Sequence, residues 1–139
     1  MQGAKRKIVY VVFFELIAIA MSTILLKLLS GSPAGHAGAA AVGASALAMV
    51  WNLAYNALFE RWEAGRARKG RSFTRRAAHA LGFETGLTVL LVPLFALVLG
   101  VSLLDALLYN LGMIVFFLVY TFSYNLAFDR LFGLPLSAQ

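Results

Sequence analysis

The sequence predicts an all-α integral membrane protein, with four transmembrane helices arranged as two parallel-repeat helical hairpins and both termini cytoplasmic. Three observations carry this expectation. Hydrophobic residues make up 61% of the 139 positions and charged residues 13%, and the mean hydropathy is +0.82. That leaves too little polar surface for a soluble domain. Four apolar runs, near 8–29, 37–59, 77–99 and 103–128, each reach the ~20 residues a helix needs to cross a ~30 Å hydrocarbon core. Finally, the second half of the chain repeats the first at a constant offset of 69 residues.

The first run opens on Lys5, Arg6 and Lys7 and ends before Ser30-Gly31-Ser32-Pro33. Basic residues, an apolar stretch and the small residues Ser30–Ala40 together imitate a signal peptide. The run is longer than a signal core, contains Glu15, and has an internal equivalent in the third run, so it is read as a retained span. The second run begins with small residues at four-residue spacing, Ala37/Ala41/Ser45 and Ala40/Ala44/Ala48, a pattern that lets helices approach closely in lipid. This seam fits packing either within the subunit or between subunits. The third run contains Pro93, a candidate kink. The fourth ends at Asp129-Arg130.

Charge placement sets the topology. Of the 12 lysines and arginines, only Lys27 falls outside the N-terminal segment, the Arg61–Arg76 connection and the C-terminal helix end. The positive-inside bias therefore puts both termini and the middle connection in the cytoplasm. The same placement turns the net charge of +6 into a topogenic signal, and no nucleic-acid partner is expected.

The offset pairs Lys7 with Arg76, Phe14-Glu15 with Phe83-Glu84, and Gly31 with Gly100. It also pairs Trp51–Arg61 (W-N-L-A-Y-N-A-L-F-E-R) with Tyr120–Arg130 (Y-T-F-S-Y-N-L-A-F-D-R). The expected division is a first repeat at 1–65 and a second at 66–139, related by an axis along the membrane normal.

Glu15 and Glu84 lie eight residues past Lys7 and Arg76, about 12 Å into the membrane. An intramembrane carboxylate is costly and marks a functional site by default; Glu15 is the expected proton-coupling and cation-binding acid. Glu84 shares its helix with Arg76 and His79 and fits a structural or a functional role. Trp51, Tyr55 and Phe59, and likewise Tyr120, Tyr124 and Phe128, recur at every fourth position. Asn52, Asn56 and Glu60, and Thr121, Asn125 and Asp129, run beside them. Aromatic rings beside amides and an acid suit an organic cation, and the outermost rings also fit an interfacial belt. Glu60 and Asp129, near Lys7 and Arg76, are expected to form ion pairs, Lys7–Asp129 among them. With no cysteine and two distant histidines, His36 and His79, no metal and no cofactor are expected. No catalytic triad or nucleotide-binding loop is present, so the chain is not expected to be an enzyme.

These motifs resemble the proteobacterial antimicrobial compound efflux family, built from two bacterial transmembrane pair domains. Arg76, His79, Phe83 and Glu84 match its first-span motif fully. Lys7, Tyr10, Phe14 and Glu15 match it with Lys for Arg and Tyr for His. Trp51, Asn52, Tyr55, Asn56, Phe59 and Glu60 match the second-span motif, and Tyr120, Tyr124, Asn125, Phe128 and Asp129 the fourth. The resemblance covers essentially the whole chain. It implies drug/proton antiport of cationic biocides such as chlorhexidine, in some members of short diamines such as putrescine and cadaverine, in a bacterial inner membrane, with a tendency to dimerise. It also implies that Glu15 is the coupling acid, and it assigns Tyr10 and Phe14 to the surroundings of that site. A competing reading is a non-transporting membrane scaffold whose acids hold helices together.

Overall fold

A computed structural model describes residues 1–67, 70 and 72–135. Four helices follow one another: α1 (Gly3–Ser30), α2 (Ala34–Ala64), α3 (Phe73–Leu99) and α4 (Leu103–Phe132). Each is long and apolar enough to cross a membrane. They exceed the predicted spans mainly at the end carrying the termini, where helix runs on into the charged segments. Arg68, Lys69 and Arg71 of the basic connection lie outside the described residues.

The repeat is visible in how α1 and α3 stop. α1 and α3 both end on a glycine in the left-handed region, Gly31 at φ 69° and Gly100 at φ 67°. Only glycine adopts that geometry without cost, and there its N–H caps the last turn. The Gly31 N–H donates to Lys27 O at 2.9 Å, and the Gly100 N–H to Ala96 O. Ser72 and Ser102 cap the starts of α3 and α4, their hydroxyls accepting from Arg75 N and Asp105 N. Ser32 Oγ then ties the first hairpin turn to the second repeat by donating to Leu99 O at 3.0 Å.

Each helix packs on its sequence neighbours, and α1 closes the ring against α4. The tightest core lies toward the hairpin turns. Its two fully buried large side chains are Leu26 and Phe95, which the 69-residue offset makes equivalents, as it does the buried Ala37 and Ala106. The small-residue seam of α2 packs inside the subunit: Ala37, Ala40 and Ala41 join this core, and a Cβ on Gly38 would sit 3.8 Å from Thr23 of α1. Pro93 is accommodated within α3, which continues through it to Leu99.

Candidate functional site

The aromatic stripes brace the helix pairs. Trp51 Nε1 donates to Phe83 O at 3.0 Å and Tyr55 Oη to His79 O at 2.9 Å, joining α2 to α3. Tyr120 Oη donates to Phe14 O and Tyr124 Oη to Tyr10 O, both at 2.8 Å, joining α4 to α1. Each bond in the first pair maps onto one in the second through the offset. The carbonyls they reach already serve their own helices, so the rings supply extra ties in a medium where few other partners exist. Phe14, Phe59, Phe83 and Phe128 fill the spaces between them.

The same symmetry explains the departure at position 10. His79 Nε2 lies 2.8 Å from Asn56 Oδ1, an acceptor, so this ring nitrogen donates. Its counterpart, Tyr10, donates its hydroxyl to Asn125 Oδ1. Tyrosine therefore reproduces the donor geometry of the histidine.

The ring of helices encloses a cavity of about 690 Å³ bordered by residues of all four. Glu15 and Glu84, at equivalent positions of the two repeats, both border it, with Ser45, Asn52, Thr121 and Asn125. At the turn end its wall is made of buried side chains, including Leu91 and Phe95; at the termini end Asn52 and Phe122 are exposed. Buried side chains thus close it toward the turns, while Met49, Leu118 and Phe122 on its border are exposed farther along α2 and α4. A smaller recess of about 260 Å³, bordered by Asn56, His79 and Glu84 among others, adjoins it.

The two carboxylates differ in setting. Ser45 Oγ of α2 donates to Glu15 Oε2, whereas the equivalent of Ser45 near Glu84 is Ile114, which has nothing to donate. Glu15 is half-buried and held; Glu84 is exposed to the cavity. Among the described residues, a neighbouring helix supplies a donor to Glu15 and none to Glu84.

At the termini end the cation that meets Asp129 is Arg6, not Lys7 as expected. Arg6 Nη2 lies 2.7 Å from Asp129 Oδ1 and 3.0 Å from Gly133 O, with its guanidinium 5.0 Å from the Phe128 ring centre. One residue on, Lys7 is turned by about 100° around α1 and is exposed. Glu60 and Arg76 are exposed at the same end. Replacing Arg6 with Asp, or Asp129 with Arg, is expected to lower stability by at most about 1 kcal/mol, because the pair is partly exposed. The double swap should recover most of that loss in thermal unfolding of the purified protein.

Of the residues expected to bind substrate, the structure brings Phe14, Asn52, Asn125 and Glu84 to the cavity with Glu15. Tyr10, Trp51, Tyr55, Tyr120 and Tyr124 lie behind it as braces, and Asn56 in the smaller recess. Sequence reasoning did not single out Ser45, Ser22, Asn110, Thr88, Gly82 or Gly86. The broken equivalence of Ser45 with Ile114 was a readable signal, since the acids Glu15 and Glu84 are kept at both equivalent positions. Among the described residues, no group of three His, Cys, Asp or Glu side chains is placed to hold a metal ion.

The sequence model of a family described as "Chlorhexidine efflux transporter" matches the chain twice in tandem, over residues 2–65 and 71–134. The chain is 35% identical to a short-chain diamines transporter of Vibrio parahaemolyticus, over 89% of this chain and 88% of that protein. A protein of the same description from Acinetobacter baumannii is 28% identical, over 92% and 88%. One from Acinetobacter baylyi is 27% identical, over 92% and 90%. No solved structure matches. Two tandem matches, four spanning helices and a cavity flanked by equivalent acids thus converge: this multi-pass membrane protein belongs to the chlorhexidine efflux transporter family.

Proposed function

We propose that the protein exports short organic dications in exchange for protons, with Glu15 as the coupling acid and Glu84 as the second anionic point. The observation that carries this reading is the placement of Glu15 and Glu84 on one central cavity. A diamine carries two ammonium groups, and two carboxylates from opposite repeats match that pattern better than one carboxylate and a hydrophobic wall. The relatives named as short-chain diamines transporters support the substrate class. The family description favours chlorhexidine as a second substrate, since it too carries cationic groups at two separated points.

In this reading the deprotonated Glu15 takes one ammonium from the cytoplasm or inner leaflet, on the termini side of the cavity. The bundle then reopens toward the turns, where an incoming proton neutralises Glu15 and releases the cation. Proton and cation compete for one carboxylate, and that competition alone couples the two flows. The basic termini and connection support an orientation in which the termini end faces the cytoplasm across a bacterial inner membrane, and in this reading the working unit is a homodimer.

The direct test is proton release when cadaverine, or separately chlorhexidine, is added to purified protein in weak buffer; transport of labelled cadaverine into inside-out vesicles is the companion measurement. Release with one cation and not the other decides the substrate, and release with neither sinks the antiport reading. Glu84→Gln is expected to weaken cadaverine binding by about tenfold while leaving a monoamine of the same length nearly unaffected. Equal losses for both amines would count against two-point capture.

A further inference from the structure

Hydroxyls on membrane helices commonly satisfy themselves on the carbonyl four residues back. On α1, Thr23 Oγ1 donates to Ile19 O at 2.7 Å and Ser30 Oγ to Leu26 O at 2.6 Å. Ser22 does not: it is 3% exposed and its Oγ has no hydrogen-bond partner. Most buried polar groups avoid that condition or meet it with water. Ser22 borders the central cavity, two turns and about 10 Å beyond Glu15 on the same face of α1.

Asn110 of α4, 2% exposed, borders the same cavity. Its amide donates to Thr88 Oγ1 of α3 at 3.0 Å, which leaves the asparagine carbonyl as an acceptor and the threonine hydroxyl as a donor. None of this is repeated: the equivalents of Ser22, Asn110 and Thr88 are Leu91, Ala41 and Ile19. These polar groups therefore break the repeat at the turn end of the cavity, next to the buried Leu26 and Phe95. Among the described residues, the charged groups on the cavity are Glu15 and Glu84.

We propose that Ser22, Asn110 and Thr88 hold ordered water at the sealed end of the cavity, and that this water forms the inner part of the proton route to Glu15 from the turn side. An incoming proton joins the bound water as another passes on through further cavity water, across about 10 Å, to a Glu15 carboxylate oxygen. The water is regenerated and the carboxyl becomes neutral. Bulk water is kept out by Leu26 and Phe95, so the relay depends on polar groups fixed in place. The inference rests on proton coupling at Glu15.

The test uses Ser22→Ala in purified protein and in liposomes with an imposed proton gradient. Removing an unpartnered hydroxyl should leave thermal stability, cation affinity and equilibrium proton release unchanged. Gradient-driven transport should fall several-fold, and Ser22→Thr should restore it. Transport by Ser22→Ala at the wild-type rate overturns the proposal, and so does a loss of cation affinity, which would put Ser22 at the cation instead. Absence of proton release in the wild-type protein overturns the antiport reading itself, whatever the variants do.

Discussion

Glu15→Gln is expected to abolish proton release on cation binding and to reduce export to background. Glutamine keeps the shape of the side chain and an oxygen that accepts from Ser45 Oγ, so the α1–α2 contact survives and the bundle should insert normally. What is lost is the charge and the titrating proton together. Removing one partner of a desolvated charge pair costs at least about 2 kcal/mol, which is roughly thirtyfold in cation affinity. Coupling should disappear outright, because the variant carboxamide neither gains nor loses a proton at any working pH. Resistance and labelled-cadaverine transport in a host lacking other pumps, together with membrane abundance of the variant, make the measurement. Unchanged export at normal abundance would show that Glu15 is structural and would revive the scaffold reading. The contrast with Glu84→Gln is informative, since Glu84 has no fixed donor: its loss should weaken two-point capture without removing the coupled proton.

Gly86→Ala is expected to destabilise the protein by about 1–3 kcal/mol through overpacking, although alanine is the better helix former by about 1 kcal/mol. The sign is decided by Trp51. A Cβ built on Gly86 collides with Cζ2, Cη2 and Cε2 of the indole, and the indole cannot retreat without breaking its bond to Phe83 O. Gly82 stands in the same relation to Tyr55, whose hydroxyl a Cβ would strike, so Gly82→Ala should act in the same direction. Gly112→Ala is the control: its Cβ would meet only Leu29, at 3.7 Å, an ordinary contact, so it should be neutral or mildly stabilising. Thermal unfolding of the three purified variants in one detergent checks the ordering. Equal stabilities for Gly86→Ala and Gly112→Ala would mean that the α2–α3 approach is looser than described. These two glycines have no counterpart in α1, where Phe13 and Ile17 stand instead, so the two halves are braced alike at the carbonyls and differently at the helix surface.

Much of the site was legible because helix periodicity and duplication place residues independently of any contact. Glu15, Glu84, Asn52 and Asn125 were identified from spacing, and they do border the cavity. The aromatic ladders were equally visible, but spacing cannot tell a ring that faces a ligand from one that faces a neighbouring helix. Trp51, Tyr55, Tyr120 and Tyr124 direct their polar atoms to backbone carbonyls, a partner that leaves no mark in the sequence. The ion pair at the termini end shows the same limit: positions 5, 6 and 7 all carry a positive charge, and which of them turns toward Asp129 depends on the packing of α1 against α4.

The sequence by itself determined four spanning helices, their duplication and the depth of two acids, because bilayer thickness and the 3.6-residue turn act on each segment separately. Only the tertiary structure decided that Glu15 and Glu84 share one cavity, that Ser45 holds one acid and nothing equivalent holds the other, and that Ser22 is left without a partner. Those outcomes depend on which faces of different helices meet, and that choice is made by close packing of side chains far apart in the chain.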